Sequence, residues 1–195
     1  MRKFILELFI AVYFFGLSAE THAEEAVRPK PSSLTVYAGQ SNSNDLLQII
    51  HFEFGGFEPY PILGLEYSKV FLETRFFDLE WAFHFVKHFE TVSLFELDGL
   101  ATFRWKSFPW NEWVTTSLGI GEGVSWATGY PSSESVSQNI RAPLLNYLWI
   151  DVRMGLPSMP EWFLDLILHH RSGVYGLLGV AGGSNYISLG VTRRF

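Results

Sequence analysis

The sequence predicts an all-β fold, an eight-stranded antiparallel transmembrane β-barrel, and three observations lead there. Apolar and charged residues alternate with a period of two in segment after segment, an apolar leader opens the chain, and its last residue, Phe195, ends the final strand. Aromatic residues make up 17% of the 195 residues, with 18 Phe and 7 Trp among them. Such residues favour strands and also form the girdles at the two edges of a membrane barrel.

The leader comes first. Arg2 and Lys3 supply a positive start, Phe4 to Leu17 is almost wholly apolar apart from Glu7, and Thr21-His22-Ala23 offers small residues for cleavage. Residues 1–23 therefore read as an export signal peptide, and residues 24–195 as the barrel. A retained membrane helix is a poorer fit, because the stretch is shorter than the ~20 apolar residues a span requires.

Eight strands follow, near Leu34–Gln40, Ile62–Phe71, Arg75–Lys87, Leu94–Trp105, Trp113–Trp126, Leu144–Met154, Trp162–Ser172 and Asn185–Phe195. In the third, Phe77, Leu79, Trp81, Phe83 and Phe85 share one face, and Asp78, Glu80 and His84 the other. In the fourth, Phe95, Leu97, Ala101, Phe103 and Trp105 oppose Glu96, Asp98 and Arg104. The sixth and eighth repeat the division, with Leu148, Ile150 and Val152 against Asp151 and Arg153, and Ile187, Leu189 and Val191 against Ser188, Thr192 and Arg194. Gln48–Gly55 also alternates, so ten strands are possible. Short turns at Phe71–Arg75, Lys106–Glu112 and Pro157–Glu161 are expected at the periplasmic end. The longer connections Ser41–Tyr60, Thr128–Arg141 and Gly173–Ser184 belong outside.

Alternation alone does not say which face is inside. The export signal and the aromatic terminus, which resembles the insertion signature of outer-membrane barrels, turn the apolar face toward lipid. The charged face then lines the lumen, where Glu66, Asp78, Glu80, Glu96, Asp98, Asp151 and Asp165 meet Arg104, Arg153, Arg171 and Arg194. The expected location is the cell outer membrane. A soluble lipocalin-like carrier or β-sandwich would invert these faces.

Composition removes other classes of function. There is no cysteine, so neither a disulfide framework nor a cysteine-ligated metal is expected, and the six histidines lack the spacing of a helical metal motif. A net charge of −6 gives nucleic acid no general electrostatic reason to bind. Gly119, Gly121 and Gly123 precede no helix and suit close strand packing or a bend.

One constellation can do chemistry. In Leu164-Asp165-Leu166-Ile167-Leu168-His169-His170-Arg171-Ser172-Gly173, His170 and Ser172 share the parity of Leu164, Leu166 and Leu168. They should point to outer-leaflet lipid near the outer rim, with imidazole and hydroxyl in reach of each other. An imidazole base can take the serine proton as the oxygen attacks an ester carbonyl. His169 and His84 face inward, where an interior network is the expected role.

His170-Arg171-Ser172-Gly173, with a last strand ending in Phe195, resembles the outer-membrane lipid A 3-O-deacylases of the PagL type. The resemblance covers about the last thirty residues together with the barrel pattern. It implies an eight-stranded barrel whose His-x-Ser pair on the penultimate strand works with a Glu near the start of the last. It further implies removal of a 3-hydroxyacyl chain from the lipid A of lipopolysaccharide, without cofactor or metal. This chain departs from the pattern: no Glu lies between Ser172 and Phe195, and Gly182-Gly183-Ser184-Asn185 stands at the acid's place. Asn185, outward by parity, is the expected orienting group, acting through its amide oxygen. Glu122, on the face of Leu118 and Ile120, is the alternative, but strands five and seven lie about 10 Å apart, so it would need a bent barrel or Asn146 between. Ile120, Trp126, Leu166 and Leu168 are candidate acyl contacts, with Asn146 also on the substrate face.

The same residues admit a plainer role, as interfacial polar groups on a structural or adhesive barrel. The Ser132, Ser133, Ser135 and Ser137 loop would suit external partners.

Overall fold

The computed structural model describes residues 31–90, 93–134, 142–174, 178 and 183–195. The leader, Ser135 and Ser137 lie outside the described residues. Eight strands form: β1 (Ser32–Asn42), β2 (Phe57–Glu73), β3 (Phe77–His88), β4 (Leu94–Trp105), β5 (Thr115–Ala127), β6 (Leu144–Gly155), β7 (Trp162–Ser172) and β8 (Gly183–Arg194). Each is antiparallel to its neighbours in sequence, and β1 pairs with β8 to close the barrel. Closure leaves no strand edge, which satisfies every wall residue's backbone within the sheet. Phe195 extends the ladder, since its N–H and C=O both bond to Ser32 at 2.8 Å.

The expected strands β4 and β7 keep their bounds, and the others shift by a few residues at their ends. The largest change is β2, which begins at Phe57, five residues before the expected Ile62. A further hairpin from Gln48–Gly55 does not form. Leu46–Ile50 is instead a short helix, α1, whose start is fixed by the Gln48 side chain accepting the Asp45 N–H at 2.9 Å. It ends as Phe52 turns to φ 66° and Glu53 N–H reaches the Gln48 carbonyl. Local capping thus overrides an alternation that had no partner strand to pair with.

The faces are as the alternation requires. Phe83 on β3, Val124 on β5 and Leu189 on β8 project outward, with Phe83 60% exposed. Glu66, Asp78, Glu80, Glu96, Asp98, Asp151, Asp165, Arg104, Arg153 and Arg171 are buried in the lumen, and Arg194 is half-buried at its end. No helix among the described residues is long and apolar enough to cross a membrane. An apolar outer wall around an ionised interior is stable in hydrocarbon and unstable in water.

The lumen is filled rather than open. Arg104 bonds Glu80 at 2.9 Å and Asp151 at 2.7 and 3.1 Å, and Arg153 bonds Asp165 at 2.7 Å. Asp165 continues to Thr192 at 2.5 Å, and Thr192 to Thr35 at 2.7 Å. Paired in this way, buried charges avoid the several kcal/mol that each would otherwise cost. Above them Tyr37 lies across Gly64, where a Cβ would stand 2.0 Å from the ring, and meets Trp149 edge-on at 5.2 Å. Gly119 likewise makes room for Asp151 and Arg104, and Gly123 for the Gly99 carbonyl. Close packing is therefore what these glycines serve.

His169 and His84 are interior, as their parity predicts. Tyr147 Oη links them, 3.0 Å from His169 Nδ1 and 3.1 Å from His84 Nδ1.

Candidate functional site

The register sets the outward residues of β5 to β8 in rows. Leu118, Val152, Leu166 and Leu189 form one row, and Ile120, Ile150, Leu168 and Ile187 the next toward the outside. Above these stand Glu122, Leu148, His170 and Asn185, then Val124, Asn146, Ser172 and Gly183. Trp126 and Leu144 complete the series. Two polar rows thus interrupt an apolar wall near the end that carries the long loops. Polar side chains on a lipid-facing wall are costly, which makes their clustering a functional signal.

His170 and Asn185 face each other across β7 and β8, with Nδ1 and Oδ1 2.6 Å apart. The amide is not free to rotate, because Asn185 Nδ2 donates to the Asn44 carbonyl at 2.9 Å. Oδ1 is thereby committed to accepting, so His170 Nδ1 must carry the proton. The lone pair then sits on Nε2, the nitrogen a general base uses. Asn42 fixes Asn44 in turn, its Oδ1 accepting the Asn44 N–H at 2.9 Å. A chain of contacts therefore runs from the first external loop through Asn185 to the imidazole.

A carboxylate at position 185 would meet this loop badly. Its second oxygen would replace the amide NH₂ and face the Asn44 carbonyl, oxygen against oxygen. The amide is what the neighbouring backbone demands. In Asn42 and Asn44 the structure adds two residues that sequence reasoning missed; the only trace is the local run Ser41-Asn42-Ser43-Asn44 beside the end of β1.

Ser172 lies two positions beyond His170 on the same face, a rise of about 6.6 Å between Cα atoms. Among the described residues its hydroxyl makes no hydrogen bond, to His170 or to any other group. Glu122 is not brought to His170, since Leu148 stands between them in the row. It bonds Asn146 Nδ2 instead, and the same amide nitrogen donates to the Gly123 carbonyl at 3.2 Å. Asn146 pairs across the strands with Ser172. Ser172, His170, Asn185, Asn146 and Glu122 therefore form one outward cluster, in which Asn185 holds the imidazole and Glu122 holds Asn146.

The candidate acyl contacts fall beside this cluster. Ile120 and Leu168 lie in the row directly below His170, Leu166 one row lower, and Trp126 on the opposite side of Ser172's row. A chain lying along the wall would meet apolar surface below the polar atoms.

No family model matches this sequence, and no curated protein is significantly similar to it. Solved structures do share the fold. The outer membrane enzyme PagL matches with a TM-score of 0.58 at 15% identity, over 83% of this chain and 98% of that one. The N-terminal β-barrel domain of Pseudomonas aeruginosa OprF matches at 0.51 with 9% identity, over 86% and 98% of the two chains. Neisserial surface protein A matches at 0.52 with 11% identity, over 85% and 97%. The likeness spans an outer membrane enzyme, a β-barrel domain and a surface protein, and what it shows is the eight-stranded outer-membrane barrel. With the lipid-facing wall described above, it places the chain in the outer membrane.

Proposed function

We propose that the chain is an outer-membrane ester hydrolase that removes an acyl chain from the lipid A of lipopolysaccharide, with Ser172 as nucleophile and His170 as general base. One observation carries this reading: on a surface facing lipid, His170 Nδ1 lies 2.6 Å from Asn185 Oδ1, an oxygen that can only accept, which puts the ring proton on Nδ1 and leaves Nε2 as the base. A structural barrel has no need of a histidine tautomer held in that way.

The chemistry follows from the positions. Nε2 of His170 accepts the Ser172 proton as Oγ attacks the ester carbonyl, and the imidazolium returns it to the departing alkoxide. Water then cleaves the acyl-enzyme by the same route in reverse. Asn185 keeps the ring in register throughout, and its amide dipole stabilises the imidazolium less than a carboxylate would. Substrate reaches the site laterally from the outer leaflet, its acyl chain along Ile120, Leu166 and Leu168. Trp126 packs at the headgroup side. Neither a metal nor a cofactor enters this mechanism.

A non-catalytic structural or adhesive barrel is the second reading, and it draws support from the Ser172 hydroxyl having no hydrogen bond to His170. Catalytic contacts often tighten only with substrate bound. Refolded protein incubated with lipopolysaccharide separates the two. Loss of one hydroxyacyl mass from lipid A, absent in Ser172→Ala and His170→Ala, supports the hydrolase. An unchanged lipid A spectrum from well-folded protein rejects it.

A further inference from the structure

The lumen holds a second cluster, unrelated to the lipid-facing site. Glu96 and Asp98 project inward from β4 and His169 from β7, and one ligating atom from each lies within 4.8 Å of the others. All three are buried, at 0, 4 and 0% exposure. Their partners are incomplete in a specific way. Both Asp98 oxygens, Glu96 Oε1 and His169 Nε2 lack any hydrogen-bond partner among the described residues. His169 Nε2 and Glu96 Oε1 approach to 3.0 Å without the geometry of a hydrogen bond.

The surrounding contacts sharpen the point. Tyr147 Oη sits between the Nδ1 atoms of His169 and His84, and one hydroxyl can donate to one ring while accepting from the other. When His169 Nδ1–H is the donor, the Nε2 lone pair faces the Glu96 carboxylate directly. Two lone pairs 3.0 Å apart repel unless a proton or a metal ion lies between them, and the two atoms lack the alignment of a hydrogen bond. Charge points the same way. Among the described residues, Glu96, Asp98 and Glu134 face one permanent cation, Arg171, whose guanidinium pairs with Glu134 and stands 3.6 Å from Glu96. Burial pushes the Glu134 carboxyl up, and Arg171 opposes that shift. Both Asp98 oxygens and the Glu96 Oε1 atom are left facing the imidazole nitrogen of His169.

We propose that Glu96, Asp98 and His169 bind one divalent transition-metal ion, of the kind Zn²⁺ represents, inside the barrel. One nitrogen and two carboxylate oxygens suit zinc, with water as a fourth ligand. Two of the ligands are themselves held: Tyr147 orients His169, and His88 Nε2 holds the other Glu96 oxygen at 2.7 Å. Ligands from β4 and β7 come from strands that do not pair with each other, so the ion would tie separate walls of the barrel together. The role is structural: the ion neutralises the upper lumen and braces it.

The chain is refolded into detergent with Zn²⁺ or with chelator, desalted, and its metal measured together with its melting temperature. One zinc per chain and a melting temperature that rises with zinc are expected. Asp98→Asn, close in volume, abolishes both, Tyr147→Phe weakens retention about 10–100-fold, and His51→Ala, at an exposed histidine, changes neither. X-ray absorption at the zinc edge of the wild type should show a shell of nitrogen and oxygen near 2.0–2.2 Å with a single imidazole; this reading holds even if Asp98→Asn does not fold. Wild type that retains no zinc and gains no stability, retention unaffected by Asp98→Asn, or a shell with several imidazoles would each overturn the site.

Discussion

The two halves of the barrel's outer wall differ along a single hydrogen-bonded row. On β7, β6 and β5 the row carries Ser172, Asn146 and Val124, and it continues through Gly99, Phe83 and Tyr67 on β4, β3 and β2. The aromatic half solves only the problem of facing lipid. The polar half gives up that solvation and recovers part of it through the His170–Asn185 and Asn146–Glu122 bonds. Membrane placement needs the first kind of wall and chemistry needs the second, and here the two occupy separate strands.

The comparison breaks most clearly at its chemical centre. Ser172→Ala or His170→Ala should reduce lipid A deacylation by about 10³-fold or more, measured by mass spectrometry of released and residual lipid, with folding retained. The opposite half should respond in stability alone. Phe83→Arg places a charge on the lipid-facing wall and should cost about 2–4 kcal/mol in denaturant-monitored folding into bilayers. Asn146→Leu at the same row gains apolar surface but loses the bond to Glu122, and should cost less than Phe83→Arg. Were both substitutions equally destabilising, the two halves would not differ as described.

Asn185→Ala removes the bond that sets the imidazole. A loss of about 1–3 kcal/mol corresponds to roughly 5–150-fold in turnover. Asn185→Asp sharpens the matter: its second oxygen opposes the Asn44 carbonyl, so turnover should not exceed wild type, and proteolysis of the 43–56 loop should increase. Turnover well above wild type in Asn185→Asp would show that the loop does not dictate the amide. The smallest effect is expected from Glu122→Gln, which keeps an acceptor for Asn146 and should change rates less than about tenfold. A large loss in a Glu122 variant beside an unaffected Asn185→Ala would move the orienting role to Glu122.

Much of the barrel was legible from residue parity. In β4 and β7 even the bounds match the sequence reading, although Leu94, Leu100 and Ile167 are apolar residues that face the lumen and interrupt the alternation. Gln48–Gly55 shows the limit. Its alternation is as regular to the eye, yet the Asp45–Gln48 cap starts a helix that ends at Ile50 and residues 51–56 form no strand, since a strand exists only if another strand accepts its bonds. The outward placement of His170, Ser172, Asn185, Asn146 and Glu122 was likewise readable, since side-chain direction along a strand is fixed by counting.

What counting could not supply was partnership. Period-two patterning is a local property of the backbone, so the sequence by itself determined the strands and which residues share a face, His170 and Ser172 with Leu164, Leu166 and Leu168 among them. Which groups touch depends on closure of the sheet and on how loops fold back over its rim. The Asn44 carbonyl reaches Asn185 across 141 residues of chain, and Glu96 meets His169 only because β4 and β7 enclose the same lumen. Those contacts decide the tautomer of the imidazole and the charge balance of the interior, and only the tertiary structure holds them.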